Sequence, residues 1–200
     1  EDSRSDIISV DGEQLPALTQ SACTPVFYEL RYDRSNEAKK DVLSMSGLQK
    51  EMDWATVENF LREEGVYVFG GRTSTDEAFG SLFILKLQFN IIGEIVYRWV
   101  KPETHGKMPP PRYSHTMNHF RAGNFVVVAY GRDDRNPANV ILGDLWILKL
   151  ATLEWQQVMT FDPNCDLPSP RFNHCSTILG SKLLIVGGIS SGFKLAKDIQ

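Results

Sequence analysis

The chain has 200 residues, of which 42% are hydrophobic, 10% aromatic and 23% charged, and its formal net charge is −4. This composition is typical of a globular protein and excludes a mostly disordered, collagen-like or coiled-coil chain. The slightly negative charge also argues against nucleic-acid binding driven by phosphate neutralisation.

Neither a membrane span nor a signal peptide is expected from the sequence. The most apolar stretch, residues 80–100, is interrupted by Lys86, Gln88, Asn90, Glu94 and Arg98, whereas a spanning helix needs about 20 predominantly apolar residues. The N-terminus at residues 1–6 is rich in charge, and no apolar run follows it. Because the first residue is not methionine, we expect a fragment or a processed product.

The cysteines indicate a reducing compartment. Cys23, Cys165 and Cys175 are odd in number and widely spaced, so we interpret them as free thiols, with a Cys165–Cys175 pair left open. The expected location is cytoplasmic, and an association with the cytoskeleton is left open.

Three motifs recur along the chain in a constant order. An apolar run ending in glycine occupies residues 66–71, 126–131 and 183–188. Residues 80–87 and 143–150 are identical at six of eight positions, with Phe83 replaced by Trp146. Pro-Arg-aromatic-x-His occurs at residues 111–115 and 170–174.

The equivalent positions are about 56–63 residues apart, and only the connections between motifs differ in length. Each copy contains four segments of β-type composition, typified by residues 172–179, 125–130 and 145–150 and by a short segment around Trp155, or Trp99 in the earlier copy. A repeat of about 50 residues with four strands predicts the blade of a β-propeller. The proline-rich residues 101–110 and 160–169 are interpreted as stiff connections between blades, with no specific role.

The pattern resembles the kelch repeat, which has a glycine pair after the second strand, an aromatic residue in the third and tryptophan in the fourth. The matching residues are Gly70, Gly71, Phe83 and Trp99, then Gly131, Trp146 and Trp155, then Gly187 and Gly188. No Trp-Asp dipeptide closes a strand, which disfavours WD repeats. The resemblance implies an all-β fold and a noncatalytic protein-interaction module.

Four regions are predicted along the chain. Residues 1–15 form an N-terminal extension and residues 16–110 a first kelch blade. The second blade spans residues 111–169. A partial third blade spans residues 170–200 and continues beyond them, so we expect about 2.5 four-stranded blades of a partial ring, completed by the remaining blades of the same propeller.

The first blade departs most from the pattern. Aligning residues 16–24 with 170–178 puts Ala17 in place of arginine and Gln20 in place of histidine, with residues 26–32 completing the first strand. An insertion at about residues 33–64 then carries a predicted helix at 53–64, with its apolar residues on one face. This helix either packs on the side of the propeller or docks a partner.

Most repeated residues are expected to support folding. The glycines allow sharp turns and close approach, and the aromatic residues fill the space between sheets. His115 and His174 are predicted to form buried structural hydrogen bonds rather than a metal site. For Arg112 and Arg171, a repeated hydrogen bond or ion pair is preferred over contact with a ligand. Tyr130 stands where the other copies have a first glycine, so either the close approach is relaxed there or a positive φ is needed only at Gly131.

The loops that follow the glycine runs differ between copies and are the predicted binding residues. In a propeller they emerge on one face, where they could recognise an acidic or polar peptide through charge-assisted hydrogen bonds. The alternative is that they are simply solvated. The candidates are Arg72, Thr73, Asp76, Arg132, Asp133, Asp134, Arg135 and Ser190.

Catalysis finds no support in the sequence, which lacks a phosphate-binding Gly-Lys-Ser/Thr loop, a Gly-x-Ser-x-Gly elbow and a His-Glu-x-x-His motif. No catalytic residue, cofactor or metal is predicted, and partner proteins are the expected ligands. Three alternatives remain: a substrate-recognition propeller of a ubiquitin ligase, a regulatory propeller attached to a phosphatase or other catalytic domain, and a cytoskeletal or ciliary scaffold.

Overall fold

A computed structural model describes residues 10–12, 15–27, 63–73, 77–89, 95–135, 137–159 and 168–197. These residues form β-strands and two short 3₁₀ turns, at Arg121–Gly123 and Ser191–Phe193. The strands are β1 (Val10–Gly12), β2 (Ala22–Val26), β3 (Gly65–Phe69), β4 (Leu82–Phe89), β5 (Ile95–Val100), β6 (His105–Gly106), β7 (Thr116–Phe120), β8 (Phe125–Arg132), β9 (Ile141–Lys149), β10 (Glu154–Val158), β11 (Arg171–Phe172), β12 (Cys175–Leu179), β13 (Lys182–Val186), β14 (Ile189–Ser190) and β15 (Lys194–Leu195).

The strands build two complete sheets and part of a third. The first sheet has the order β1-β5-β4-β3-β2 and the second the order β6-β10-β9-β8-β7. In each, four consecutive strands form an antiparallel meander. The β12–β13 hairpin and the small β11-β14-β15 sheet begin a third unit. The predicted all-β propeller fold is confirmed, and the described residues do not close the ring.

The core lies between neighbouring sheets. Strand β3 has alternating buried and half-buried residues, as expected for a strand packed mainly on one face. Phe69, Val126, Leu148 and Trp155 belong to one buried cluster that joins the first and second sheets. Each such side chain contributes about 1.5–3 kcal/mol when it is fully buried.

The predicted aromatic positions are not equally buried. Trp146 and Trp155 are 1% and 2% exposed, and Phe83 is 4% exposed. Trp99, by contrast, is only half-buried. The expectation that all four residues fill the space between sheets therefore fails in part at Trp99.

A short parallel strand adds a fifth member to each complete sheet, which the sequence analysis did not predict. Strand β1 pairs with β5 so that Gly12 lies opposite Trp99, and β6 pairs with β10 so that Gly106 lies opposite Trp155. Gly106 has a φ of 76°, and a Cβ there would lie 2.5 Å from the Trp155 carbonyl oxygen. The chain entering each blade therefore first covers its outer edge, which blunts an open strand edge. Residues 101–110, interpreted from the sequence as a connection with no specific role, therefore also cover a strand edge.

The register of the first blade differs by one residue from the predicted alignment. Gln20, Ser114 and Asn173 all adopt the left-handed conformation, with φ of 56°, 52° and 53°. Ser21, rather than Gln20, therefore occupies the position of His115 and His174. Leu18, rather than Ala17, likewise takes the arginine position. The left-handed conformation shared by Gln20, Ser114 and Asn173 is not visible in the sequence, so it could not guide the alignment.

The three left-handed residues link successive blades. The backbone N–H of Ser114 donates to the Gln20 carbonyl at 3.0 Å, and that of Asn173 donates to the Ser114 carbonyl at 2.9 Å. Because such bonds join residues far apart in sequence, they fix each inner strand relative to its neighbour.

Tyr130 also adopts the left-handed conformation, with a φ of 56° beside the 66° of Gly70 and 65° of Gly187. A positive φ is therefore not confined to Gly131, which excludes one of the two explanations offered for this substitution. A Cβ at Gly70 would lie 2.4 Å from the Arg112 carbonyl oxygen. The second blade accommodates a large side chain at the same backbone position, so the close approach is relaxed there.

The predicted helix at residues 53–64 lies outside the described residues except at its end. Glu63 is 8% exposed. Its carbonyl accepts a hydrogen bond from the Tyr67 hydroxyl at 2.7 Å, and its carboxylate accepts one from the Asn124 amide at 3.1 Å. The end of the insertion is thus fixed to both complete sheets. Of predicted residues 26–32, β2 includes only Val26, and residues 28–32 are not described.

Cys23 and Cys175 are free and exposed, and Cys165 lies outside the described residues. In the part of the chain that the structure covers, no helix has the length and apolar character needed to cross a membrane.

Candidate protein-interaction face

Three loops form what we call the loop face. They follow the second strand of each blade and are closed by the equivalent pairs Arg72–Ala78, Arg132–Ile141 and Ile189–Leu195. They contain five, eight and five residues between these pairs. The strands that carry them repeat, whereas the loops do not.

Arginine and aromatic side chains alternate across the loop face. The Arg72 guanidinium carbon lies 5.2 Å from the ring centroid of Tyr113, and that of Arg132 lies 6.0 Å from the same centroid. Arg132 also lies 5.2 Å from the centroid of Phe172 and 5.4 Å from that of Phe193. We call this set, Arg72, Tyr113, Arg132, Phe172 and Phe193, the arginine–aromatic ladder. Each cation–π contact contributes about 0.5–2 kcal/mol, depending on its desolvation.

The ladder arises from the repeat itself. Each arginine lies at or just after the end of the second strand of one blade and contacts the aromatic residue of the next Pro-Arg-aromatic motif. The backbone holds this arrangement, because Tyr113 and Arg132 exchange N–H···O bonds of 3.0 and 2.9 Å. Ile189 stands at the arginine position of the third blade. Arg72 and Arg132, which the sequence predicts to be equivalent, therefore each contact an aromatic ring of the next blade. This contact is additional to any contact with a ligand.

The carboxylate of Asp134 is bound within the ladder. Arg132 Nε donates to Asp134 Oδ1 at 2.6 Å, and the Tyr113 hydroxyl donates to Asp134 Oδ2 at 2.5 Å. Burial raises the pKa of Tyr113 to about 12, helped by this hydrogen bond. The small burial of Asp134 alone would raise its pKa, but hydrogen bonds from Tyr113 and Arg132 and the charges of Arg132 and Arg72 hold it below its usual range. At neutral pH the site is thus an ionised carboxylate with a phenol donor and cationic neighbours.

The other candidate residues mostly bond within their own loops. Asp133 is 6% exposed, and its carboxylate accepts two bonds of 2.9 Å from the Arg135 guanidinium. Thr73 closes the first loop through hydrogen bonds to the Glu77 backbone, and Ser190 Oγ donates to the Lys194 carbonyl at 3.3 Å. Asp76 lies outside the described residues.

Arg112 lies inside the second blade. It is fully buried, donates two bonds of 2.8 and 2.9 Å to Asp144, and also donates to the Pro110 and Tyr130 carbonyls. Asp144 additionally accepts a bond from Trp146 Nε1 at 2.5 Å. Burial raises the pKa of Asp144, but its bonds to Arg112 and the Arg112 charge outweigh this effect and lower it. These contacts leave Arg112 no path to a ligand on the loop face.

Arg171 repeats this position in the third blade. It is fully buried and donates to the carbonyls of Ser169 and Gly187, each at 3.0 Å. The first blade has Leu18 in the arginine position and Ser81 in the position of Asp144. The first blade therefore lacks both partners of the arginine–aspartate ion pair.

His115 and His174 lie at two successive interfaces between blades and do not approach a common metal position. His115 contacts the Phe69 ring, with centroids 5.8 Å apart, and His174 contacts the Tyr130 ring at 5.7 Å. His174 Nε2 shares a hydrogen bond of 2.9 Å with Thr116 Oγ1. Neither ring nitrogen of His115 has a side-chain partner among the described residues. Packing against Phe69 holds this ring, together with a polar contact to the Phe69 backbone.

Burial lowers the pKa of His115 to about 3, with smaller contributions from the Arg112 and His174 charges, and lowers that of His174 to about 4. Both rings are therefore neutral at physiological pH.

Sequence reasoning missed the aromatic members of the ladder as part of the face. In the sequence, Tyr113 and Phe172 stand out only as the recurring aromatic residue of the Pro-Arg motif. That recurrence beside a recurring arginine was the available signal. Phe193 has no counterpart in the repeat, and its exposure of 64% with a φ of 56° became visible only in the structure.

A cavity of about 460 Å³ lies beside the loop face. Its polar lining includes Asp133 and Asp144, which already bind Arg135 and Arg112. Within the described ranges, no three histidine, cysteine or carboxylate groups come close enough to hold a metal ion.

Together, the meander sheets, the left-handed residues at Gly70, Tyr130 and Gly187 and the inner-strand contacts define a β-propeller built from kelch blades. A family model for the KLHDC2/KLHL20/DRC7 Kelch-repeats domain matches residues 32–188, so the chain belongs to the kelch-repeat family. Kelch domains are protein-interaction modules and are generally noncatalytic scaffolds.

The chain is similar to parts of much longer proteins. It is 36% identical over 94 residues to Host cell factor of Drosophila melanogaster, covering 46% of this chain and 6% of that protein. It is 33% identical over 140 residues to human Host cell factor 1, covering 61% and 6% respectively. A probable serine/threonine-protein kinase of Dictyostelium discoideum is 35% identical over 123 residues, covering 61% and 8%.

A solved structure shares the fold. It is described as a cryo-EM structure of RAG in complex with one melted RSS and one unmelted RSS. One of its chains aligns with a TM-score of 0.64 and 17% sequence identity, covering 96% of this chain and 49% of that chain.

Proposed function

We propose that this chain is a noncatalytic scaffold that binds partner proteins through its loop face, with a peptide segment of the partner lying across the three loops. The observation that carries this proposal is the arginine–aromatic ladder, which spans all three blades on that face. Arg132 and Asp134 keep 25% and 35% of their side-chain surface exposed, and Phe193 is 64% exposed. Arginine and tyrosine, which this face combines, are enriched among interface hot spots.

The preferred partner segment contains an acidic side chain. In sequence, the first two loops hold three arginines and four carboxylates, so they have no excess of positive charge: Arg72, Arg132, Arg135, Asp76, Glu77, Asp133 and Asp134. Recognition of an acidic group would therefore depend on local hydrogen-bond geometry rather than on a long-range positive field.

Attachment of the propeller to a catalytic domain is the second candidate function. The similar region of the Dictyostelium discoideum protein is part of a probable serine/threonine-protein kinase. In that arrangement, the propeller would bind partners for a catalytic domain elsewhere in the same protein. The expected cytoplasmic location fits both proposals.

The test is charge reversal on the loop face of the full-length protein. The double variant Arg72→Glu with Arg132→Glu should reduce partner recovery at least about tenfold in quantitative affinity purification, since charged hot spots can each contribute 2 kcal/mol or more. The matched control is Lys149→Glu with Lys182→Glu, which reverses two exposed charges at the opposite ends of the strands. Circular dichroism would verify that both variants fold. Undiminished recovery of partners by a folded loop-face variant contradicts the proposal.

A further inference from the structure

The contacts of Asp134 resemble those of a bound ligand more than those of a structural ion pair. Its two carboxylate oxygens are held by different groups, Arg132 Nε at 2.6 Å and the Tyr113 hydroxyl at 2.5 Å. The Arg72 guanidinium lies against the same Tyr113 ring. One carboxylate thus receives two hydrogen bonds, including a charge-assisted one, within reach of a second positive charge.

The groups that hold this carboxylate are fixed by the backbone. Arg72 forms isolated backbone bridges with Thr19 and Ala78, and Tyr113 forms one with Arg132. The Gly71 N–H donates to the Arg112 carbonyl at 2.8 Å, which fixes the backbone beside Arg72 against the backbone beside Tyr113. These backbone contacts preorganise the three groups before any ligand binds. Preorganised donors avoid much of the ordering cost of binding.

Asp134, unlike the groups that hold it, is a partly exposed loop residue outside the repeat. It lies in a turn of the longest loop, and 35% of its side chain is exposed. The equivalent positions of the other two loops are Ser74 and Ser191, so the acid is not part of the repeat. The two stacked pairs, Arg72 with Tyr113 and Arg132 with Phe172, consist of groups other than Asp134.

We propose that Arg72, Tyr113 and Arg132 form a carboxylate-binding site for an acidic side chain of a partner peptide, and that Asp134 occupies this site as an intramolecular stand-in that the partner displaces. This inference rests on the proposed function of the loop face and identifies its central subsite. The stand-in competes with the partner, so only molecules in which Asp134 has left the site can bind the partner's carboxylate. The measured affinity for the partner is therefore the intrinsic affinity multiplied by the fraction of molecules with an open site.

The direct test measures binding of a fluorescein-labelled peptide of alternating glutamate and glycine to the full-length protein by fluorescence anisotropy. The variant Asp134→Ser introduces the residue found in the other two loops. It should bind the acidic peptide about three- to tenfold more tightly than the unmodified protein, because the competing ligand is gone. The variant Arg132→Gln should lose at least tenfold in affinity, and the corresponding glutamine-and-glycine peptide should show no gain with Asp134→Ser.

The matched control is Glu77→Gln, which removes one negative charge from an exposed residue of the neighbouring loop. An equal gain in affinity for Glu77→Gln and Asp134→Ser would show a general charge effect and overturn the inference. Unchanged or weaker binding by a folded Asp134→Ser variant would also overturn it, because Asp134 would then only position Arg132. The variant Asp134→Asn checks that a gain does not depend on the serine.

These outcomes separate the inference from the proposed function. Loss of partners in the Arg72→Glu, Arg132→Glu variant without a gain for Asp134→Ser overturns only the stand-in role. Retention of partners by that double variant contradicts use of the loop face by natural partners. A tighter peptide complex with Asp134→Ser would in that case still identify a carboxylate site.

Discussion

Some residues with positive φ lie where two blades come close together. Gly70 and Tyr130 have nearly the same φ, at 66° and 56°, but their surroundings differ. A Cβ at Gly70 would meet the Arg112 carbonyl oxygen at 2.4 Å and His115 Cε1 at 2.7 Å. At Tyr130 the side chain instead packs against His174 and donates to the Pro168 carbonyl at 3.2 Å. The left-handed backbone conformation therefore recurs in both blades. The atoms packed around each position decide whether a side chain fits there.

Gly70→Ala tests this distinction against Gly180→Ala. Both positions have a positive φ, at 66° and 59°, but a Cβ at Gly180 meets nothing within 4 Å. We expect Gly180→Ala to cost about 1 kcal/mol of unfolding free energy, from backbone strain alone. Gly70→Ala should cost roughly 2–4 kcal/mol, because steric overlap adds to the strain. Urea unfolding measures both, and equal losses would contradict the close approach at Gly70.

At the scale of strands, one buried ion pair joins three parts of the second blade. Arg112 precedes the inner strand, its NH1 group reaches the Tyr130 carbonyl in β8, and Asp144 and Trp146 lie in β9. The sequence recurrence of arginine predicted a repeated bond. It did not reveal Asp144 as the partner, since the two residues are 32 positions apart.

Removing either partner of this pair should have unequal effects. Asp144→Ala leaves the fully buried Arg112 charged, whereas Arg112→Met leaves a carboxylate that is 18% exposed and can be hydrated or protonated. We expect Asp144→Ala to be the more destabilising change and Arg112→Met to cost about 3 kcal/mol in urea unfolding. A double-mutant cycle should give a coupling well above the roughly 0.2–1 kcal/mol of an exposed pair. The exposed Lys149–Glu154 pair is the control, and a coupling no larger than its value would contradict this role.

The edge strands are a second feature at this scale. β1 and β6 each contribute only two or three residues, and their sequences lack the alternation that identifies longer strands. Their recurrence opposite Trp99 and Trp155 depends on the path of the chain between blades. The residue pattern therefore predicts the four-stranded meander but not the fifth strand.

At the scale of the whole molecule, successive blades are held by contacts that titrate in acid. His115 and His174 are neutral in the folded state because burial lowers their pKa values to about 3 and about 4. In the unfolded chain, histidine has a pKa of about 6.5. Between these values the unfolded state binds protons that the folded state does not, so stability falls as the pH decreases from 6.5 towards 4.

His174→Gln should flatten this pH dependence. Each neutral buried histidine adds a slope of up to about 1.4 kcal/mol per pH unit within the window. Asp134 and Asp144 have lowered pKa values, so their stabilisation is lost only below about pH 4 and does not contribute there. Urea unfolding at several pH values between 4 and 7 measures the slope, with the exposed His105→Gln as control. An unchanged slope in His174→Gln would contradict the buried, neutral state of this ring.

The sequence by itself determined the repeat, the strand types and the kelch blade. Apolar runs ending in glycine, strand alternation and the Pro-Arg-aromatic motif each depend on residues close together in the sequence. They are therefore visible as local patterns. Only the tertiary structure decided the register of the first blade, the edge strands and the partners of the buried charges. It also decided the state of the loop face, where Arg132 holds the carboxylate of Asp134 and stacks against Phe172 and Phe193. The physical reason is that hydrogen-bond geometry and burial depend on neighbours brought together from different blades, and loop sequences that do not repeat carry no pattern from which those neighbours can be predicted.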